Sequence, residues 1–113
     1  MSKAKTVKEV LIAARWILEN IGWCQDASAK RENGTSIQGS FFIEPGHCYC
    51  ASGAIDIIDT HHNSLKSHAA RLVDEAARSL TGLSIIACND MPGRTKKKML
   101  EVFDLAIKKA YNV

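Results

Sequence analysis

The stretch His47-Cys48-Tyr49-Cys50-Ala51-Ser52-Gly53-Ala54-Ile55 decides the fold that the sequence predicts. It follows the chain break Pro45-Gly46, and apolar residues then recur on one helical face, at Ala51, Ile55 and Ile58. This pattern predicts a central helix from His47 to His61. Glycine costs about 1 kcal/mol relative to alanine inside a helix, so we expect another group to approach the backbone of Gly53 closely.

The first amphipathic helix is predicted on the N-terminal side of this stretch. Thr6 and Glu9 form a Thr-x-x-Glu pattern that satisfies amide donors at a helix start. Apolar residues follow at helical spacing as far as Ile21, and Gly22 is expected to supply the left-handed residue that ends the helix.

Two more amphipathic helices are predicted on the C-terminal side. The first is capped by Asn63 or Ser64 and runs to Gly82, and the last is capped by Thr95 after a turn at Pro92-Gly93. Leu83 to Cys88 is a short apolar run that periodicity assigns to neither helix nor strand.

Residues 23–46 show no sustained period of either kind and are predicted to form a long loop. Asn33-Gly34 is a turn signal that could close a small hairpin, whose second arm would be Ser36 to Ile43. The fold class predicted is therefore all-α: a compact bundle of four main helices, with this loop between the first two, in one domain covering residues 1–113.

Composition limits the function classes. Hydrophobic residues make up 46% of the 113-residue chain and charged residues 24%, which is typical of one globular domain with a sizeable core. The net charge of +3 is too small to indicate a nucleic-acid-binding protein. The polar N-terminus lacks an apolar signal segment, and no apolar run reaches the roughly 20 residues that cross a bilayer, so a cytoplasmic protein without membrane contact is expected.

Cysteine and histidine residues first suggest a metal site, but their predicted geometry opposes one. If Cys48 and Cys50 are both helical, their side chains lie about 200° apart around the helix axis. Cys50 and His61 would lie about 16 Å apart along the same axis. We therefore predict no metal and no cofactor, and we expect the four cysteines to be free thiols in a reducing compartment.

Nucleophilic catalysis is an alternative, because a cysteine at a helix N-terminus has its thiolate stabilised by exposed amides. Cys48 and Cys50 are placed at such a terminus, with His47 as the base and Asn89 or Asp90 orienting the histidine. The nucleophile predicted for an enzyme is Cys50 or Cys24. This set would make the protein a thiol-dependent hydrolase or transferase. The competing interpretation is that these cysteines are structural thiols buried in the core.

Anion binding is a third idea. Arg94-Thr95-Lys96-Lys97-Lys98 places four cations at the start of the last helix, where they oppose the helix dipole. Exposed amides near Thr95 and the Arg94 guanidinium could together hold a phosphate or carboxylate. The competing interpretation is a solvated surface that binds nothing.

Three segments of the chain resemble a family of small uncharacterised proteins of bacteria, notably actinobacteria, and of phages. They are Gly22-Trp23-Cys24-Gln25, Tyr49-Cys50-Ala51-Ser52-Gly53-Ala54 and Asn89-Asp90-Met91-Pro92-Gly93-Arg94-Thr95. The chain departs from the family pattern at Cys88, where an aromatic residue is usual. The resemblance implies no activity, but it marks a set of residues: Cys24, Gln25, Cys50, Asn89, Asp90, Arg94 and Thr95. These residues either line one converging site or form an internal hydrogen-bond network.

The function predicted first is that of a small cytoplasmic binding or accessory protein. Its ligand would be a small anionic or nucleotide-like molecule, held in a polar pocket by the marked residues. One alternative is the thiol-dependent enzyme. A second is a structural interaction protein, whose apolar surface would bury against a partner protein or a second copy of the chain.

Overall fold

The computed structural model describes residues 3–37 and 45–110, which form five helices and one two-stranded sheet. The helices are α1 (Val7–Asn20), α2 (Ala51–Asp56), α3 (Asn63–Thr81), α4 (Ile85–Asp90) and α5 (Lys96–Ala110). The strands β1 (Ala29–Lys30) and β2 (Cys48–Tyr49) pair antiparallel. The fold is mostly helical, which is roughly consistent with the predicted all-α class, but it has five helices instead of four main ones and a small two-stranded sheet.

The three long helices, α1, α3 and α5, pack against one another and supply most of the core. Each is amphipathic, and its apolar stripe is buried as the helical spacing predicted. The largest fully buried side chains of these helices are Val10, Leu11, Leu18, Val73, Met99, Val102 and Phe103. None of the helices in the described ranges is both long and apolar enough to cross a membrane.

Two of the predicted helix caps are confirmed. The Thr6 hydroxyl accepts the backbone N–H of Glu9 at 3.1 Å, and the Thr95 hydroxyl accepts that of Lys98 at 3.2 Å. Gly82 follows α3 with a left-handed φ of 78°. These bonds satisfy amide groups that a helix start leaves without intrahelical partners.

Two other predicted boundaries are wrong. α1 ends at Asn20, its C-cap Ile21 is right-handed, and Gly22 is not left-handed. Gly22 is needed for space instead, because a Cβ there would lie 2.8 Å from the carbonyl oxygen of His47. α3 begins at Asn63 itself, and the residue before it, His62, caps the helix without a side-chain hydrogen bond.

The predicted central helix over residues 47–61 is also wrong. Cys48 and Tyr49 form β2, Cys50 is the N-cap, and α2 contains only six residues. Residues 48–49 are extended because distant segments form backbone hydrogen bonds with them. Ala29 and Lys30 pair on one side, and Gly22 and Cys24 on the other. The argument against a metal site from helical spacing therefore does not apply, since Cys48 is not helical.

Gly53 confirms the expectation of a close approach. A Cβ on this residue would overlap the carbonyl oxygen of Ser28, which accepts the backbone N–H of Cys50 at 3.1 Å. The approaching group is the backbone of the long loop. The first turn of α2 thus packs against Ser28, while residues 29–30 pair with β2 just before it.

The predicted turn at Asn33-Gly34 forms. Gly34 has φ of 88°, and Arg31 N–H donates to the Thr35 carbonyl at 2.8 Å. Ser36 then pairs with Lys30 in an antiparallel bridge. Most of the predicted second arm, from residue 38 to Ile43, lies outside the described residues.

Candidate functional site

The three marked segments meet at α4, a helix that the sequence did not predict. The Trp23 indole N–H donates to Asn89 Oδ1 at 2.7 Å, and the Ala51 backbone N–H donates to the same oxygen at 3.0 Å. Gln25 Nε2 donates to the Asn89 carbonyl at 3.0 Å. A side chain from α4 therefore joins the segment after α1 to the start of α2.

Asn89 is the centre of this network and is only 1% exposed. Its Nδ2 donates to the Cys24 carbonyl at 3.1 Å and to Asp90 Oδ1 at 2.9 Å. A side-chain amide can accept two hydrogen bonds and donate two, and Asn89 makes all four within the protein. We call Trp23, Cys24, Ala51, Asn89 and Asp90 the Asn89 cluster. Asn89 itself is thus a structural residue, whose amide has no hydrogen bond left to offer a ligand.

Gln25 and Arg94 satisfy the C-terminal end of α4. The last carbonyls of a helix have no intrahelical partner. Gln25 Nε2 takes the Asn89 carbonyl and also the Met91 carbonyl at 2.9 Å, while Arg94 Nε donates to the Cys88 carbonyl at 2.9 Å. Both side chains were predicted as ligand-binding residues, and the structure uses them to cap this helix.

Asp26 connects the network to a neighbouring pocket. Its φ of 68° makes it the only non-glycine residue with positive φ in the described part of the chain. Aspartate tolerates this left-handed conformation better than most residues. The conformation accompanies a hydrogen bond of 2.9 Å from the Asp26 backbone N–H to Asp90 Oδ1.

A pocket of about 190 Å³ opens between the long loop, α2 and α4. We call it the α4 pocket. Cys50, Asn89 and Asp90 from the predicted set line it, whereas Cys24, Gln25, Arg94 and Thr95 do not. The other lining residues were missed by the sequence reasoning and are Asp26, Ala27, Ser28, Ser52, Ile85 and Ile86. The one sequence feature that could have pointed to Asp26, Ser28 and Ser52 is that each lies within three residues of Gln25 or Cys50.

The thiols differ in their surroundings. Cys50 Sγ accepts the Gly53 backbone N–H at 3.4 Å and lies 3.3 Å from Ser52 Oγ in the pocket wall. Burial raises the pKa of the Cys24 thiol, and the neighbouring Cys48 thiol raises it further. A raised pKa leaves little thiolate at neutral pH, which weakens Cys24 as a nucleophile.

The structure also shows where the predicted base, His47, lies and whether side chains are arranged to bind a metal ion. His47 is exposed and does not line the α4 pocket; its backbone N–H donates to the Lys30 carbonyl at 2.8 Å. The described residues contain no group of three His, Cys, Asp or Glu side chains arranged to hold a metal ion. Thiol-dependent catalysis by Cys50 stays a prediction.

Cations near the start of α5 have partners within the protein. Lys96 Nζ donates to the Glu19 carbonyl near the end of α1 at 2.9 Å, and Lys98 lies 3.5 Å from Glu101. Arg94, as described, is held by the Cys88 carbonyl. These contacts account for three of the four charges that suggested an anion site.

An apolar groove, separate from the α4 pocket, lies along α1. Trp16 is 55% exposed there, and Ile12 and Ile21 are also largely exposed. Trp16 and Ile21 border a groove of about 450 Å³, together with Ile57 and Ile58. Exposed apolar patches are typical of interaction surfaces, so this is where the predicted partner protein would bind. That partner stays a prediction.

Comparison with known proteins identifies a family. The model of a family of unknown function, DUF6197, matches residues 2–109. The chain belongs to this family. No curated protein and no solved structure matches the chain. The expected membership of an uncharacterised family is confirmed, while the motif set and its spread among bacteria and phages stay predictions.

Proposed function

We propose that this family member is a binding protein whose α4 pocket takes a small molecule bearing an ammonium group or several hydrogen-bond donors. The observation that carries the proposal is the charge of the lining. Two carboxylates, those of Asp26 and Asp90, border the pocket, and the nine described residues that line it include no lysine or arginine.

The remaining lining groups support the same ligand chemistry. Ser28 and Ser52 contribute hydroxyl groups and Cys50 a thiol, all of which can accept hydrogen bonds. Each of the two carboxylates would attract a cation in the pocket. Ile85 and Ile86 add apolar surface for a short carbon chain.

The proposed ligand differs from the anionic or nucleotide-like molecule expected from the sequence. That expectation depended on Arg94 and the amides near Thr95, and neither residue borders the pocket. Ligand pockets for drug-sized molecules occupy roughly 300–1,000 Å³, so a volume of about 190 Å³ favours a ligand smaller than a nucleotide.

The test is an NMR titration of the full chain with ethylammonium chloride, and in parallel with sodium acetate as the probe of opposite charge. We expect ethylammonium to shift the backbone amides of Asp26, Ser28 and Ser52 in a saturable manner. Asp90→Asn should reduce the affinity by at least about tenfold, which corresponds to 1.4 kcal/mol for a charge-assisted hydrogen bond. Acetate should leave these amides unshifted.

The matched control is Asp59→Asn, which removes an exposed carboxylate that does not border the α4 pocket. It should bind ethylammonium as the wild type does. Asparagine at position 90 can still accept the bonds from Asp26 and Asn89, so the fold should persist in the test variant. Saturable shifts with acetate, or equal affinity in Asp90→Asn and the wild type, would contradict the proposal.

A further inference from the structure

The turn at Asn33-Gly34 brings two hydrogen-bond donors onto one side-chain oxygen. The Thr35 backbone N–H donates to Asn33 Oδ1 at 3.0 Å, and the Thr35 hydroxyl donates to the same oxygen at 2.7 Å. The Arg31 guanidinium in turn donates to the Thr35 hydroxyl oxygen at 3.3 Å. A hydroxyl that accepts a hydrogen bond from a cation becomes a stronger donor. All three groups therefore favour negative charge on the Asn33 oxygen.

The residue after Asn33 is a glycine, and the pair has open space around it. Gly34 has φ of 88°, a Cβ on it would meet no atom within 4 Å, and both residues are exposed. The Gly34 N–H donates to the Arg31 carbonyl at 2.9 Å. That bond lies near the peptide plane, whereas the π electrons of the nitrogen lie above and below the plane. The hydrogen bond to Arg31 therefore leaves both faces of the Gly34 nitrogen open.

We propose that Asn33 is a site of spontaneous deamidation, and that the two donors of Thr35 promote the reaction. The Gly34 nitrogen is the nucleophile, Asn33 Cγ is the electrophile, and water is the second reactant. The Thr35 donors act as an oxyanion hole does, because they stabilise negative charge that develops on Oδ1 only during the reaction. No part of this proposal depends on the ligand proposed for the α4 pocket, which these residues do not border.

The chemistry has two steps. Hydroxide takes the Gly34 amide proton and the nitrogen attacks Asn33 Cγ, so that a C–N bond forms and the carbonyl electron pair moves to Oδ1. When this pair returns, the bond from Cγ to Nδ2 breaks, and Nδ2 takes a proton from water and leaves as ammonia. A second water then opens the resulting succinimide ring at either carbonyl and gives aspartate or isoaspartate. In sum, one asparagine and one water give one carboxylic acid and one ammonia.

Isoaspartate at position 33 loosens the turn that produces it. It carries the main chain through Cγ and so adds one atom between Arg31 and Thr35, whose backbone N–H and carbonyl are joined at 2.8 Å. The chain after the turn is anchored by Ile37, which is 2% exposed and whose N–H donates to the Ala29 carbonyl at 2.9 Å. The added atom disturbs the register between these two bonds. The isoaspartate form should therefore unfold at a lower urea concentration than the fresh protein.

The experiment incubates the folded full chain in mildly alkaline buffer and follows each asparagine by peptide mapping with mass spectrometry. We expect Asn33 to be converted to aspartate and isoaspartate, and to be converted faster than in the full chain denatured by guanidinium chloride. Asn63, which is exposed at the start of α3 and followed by serine, is the internal control and should stay unmodified over the same period. Conversion of Asn33 that is no faster in the folded than in the denatured chain would overturn the proposal.

Two substitutions of one residue test the hydroxyl donor. Thr35→Val keeps the shape of the side chain but removes the hydroxyl, and it should slow the conversion of Asn33 by at least about tenfold. Thr35→Ser is the matched control, because it keeps the hydroxyl and should react at close to the wild-type rate. Thr35 is exposed, so both variants should fold, which circular dichroism checks. An unchanged rate in Thr35→Val, or equal slowing in the two variants, would contradict the role given to the hydroxyl and overturn the proposal.

Discussion

The Asn89 cluster and the α4 pocket use adjacent residues of one short helix in opposite ways. Asn89 is buried, and its side-chain amide makes all of its hydrogen bonds within the protein. Asp90 is half-buried and borders the α4 pocket. Asp90 Oδ1 also joins the two regions, because it accepts from both Asn89 and Asp26. A polar residue that converges on a site is therefore not necessarily a ligand residue. The hydrogen bonds already made decide which role it has.

The largest expected effect comes from removing the side chain at the centre of the Asn89 cluster. Asn89→Ala leaves the Trp23 indole N–H, the Ala51 N–H and the Cys24 carbonyl without their partner. Each buried polar group left unsatisfied costs about 1–3 kcal/mol. We expect the free energy of unfolding to fall by about 3–5 kcal/mol, measured by urea denaturation.

Asn63→Ala is the control for this prediction, since Asn63 is an exposed residue at the start of α3. Its unfolding free energy should stay within about 0.5 kcal/mol of the wild type. If Asn89→Ala cost no more than this control, the Asn89 cluster would not be a stabilising network and the distinction between the two regions would fail.

An intermediate effect is expected from Gly53→Ala, which acts on the wall shared by α2 and the long loop. The new methyl group would overlap the Ser28 carbonyl and strain its hydrogen bond with Cys50 N–H. Overpacking of this kind costs about 1–3 kcal/mol, which outweighs a gain in helix propensity of about 1 kcal/mol. We expect a net loss of up to about 2 kcal/mol by thermal or urea unfolding.

Ser52→Ala, in the same short helix, separates these two contributions. It changes helix propensity without adding an atom beside the Ser28 carbonyl, and its unfolding free energy should change by about 0.5 kcal/mol or less. A Gly53→Ala protein more stable than the wild type would show that helix propensity dominates and that the loop can move away from α2.

The smallest expected effect concerns Asp74, which accepts a hydrogen bond from the start of α4, the helix that carries both Asn89 and Asp90. Asp74 on α3 accepts Arg78 Nε at 2.9 Å, and its other oxygen accepts the Ile85 N–H at the start of α4, also at 2.9 Å. Chiefly the hydrogen bond from Arg78, and then that from Ile85, hold the pKa of Asp74 below its ordinary value of 3.8. Stability from this carboxylate is thus present above about pH 4 and is lost as the pH falls through the lowered pKa.

Asp74→Asn should therefore cost up to about 1 kcal/mol at pH 7, because exposed ion pairs are weak. The difference from the wild type should shrink as urea denaturation is repeated at pH values approaching 2. Arg78→Gln, which removes the larger cause, should lose part of the same pH-dependent difference. A difference that grows at low pH would have the wrong sign for this mechanism.

Periodicity predicted the parts of the fold that depend on local sequence. The apolar stripes of α1, α3 and α5 and the caps at Thr6 and Thr95 can be read from residues within a few positions of each other. α4 was missed because six residues are too few to establish a helical period.

Non-local backbone pairing explains the remaining differences. Residues 47–49 carry an apolar pattern compatible with a helix, yet pairing with β1 and with Gly22 and Cys24 holds them extended. The convergence of Gln25, Cys50 and Asn89 could be predicted from the resemblance, but the atoms that pair could not. Asp26 and Ser28 were missed because their position depends on a left-handed turn and a carbonyl packed on Gly53.

The bond between the Trp23 indole and Asn89 gives the protein a built-in optical reporter. Of the two tryptophans in the chain, Trp16 is largely exposed, while Trp23 packs on the core with its N–H held. Their emission should thus separate into a red, easily quenched component and a blue, protected one. Loosening of the cluster would register as a red shift of the second component, without any added label.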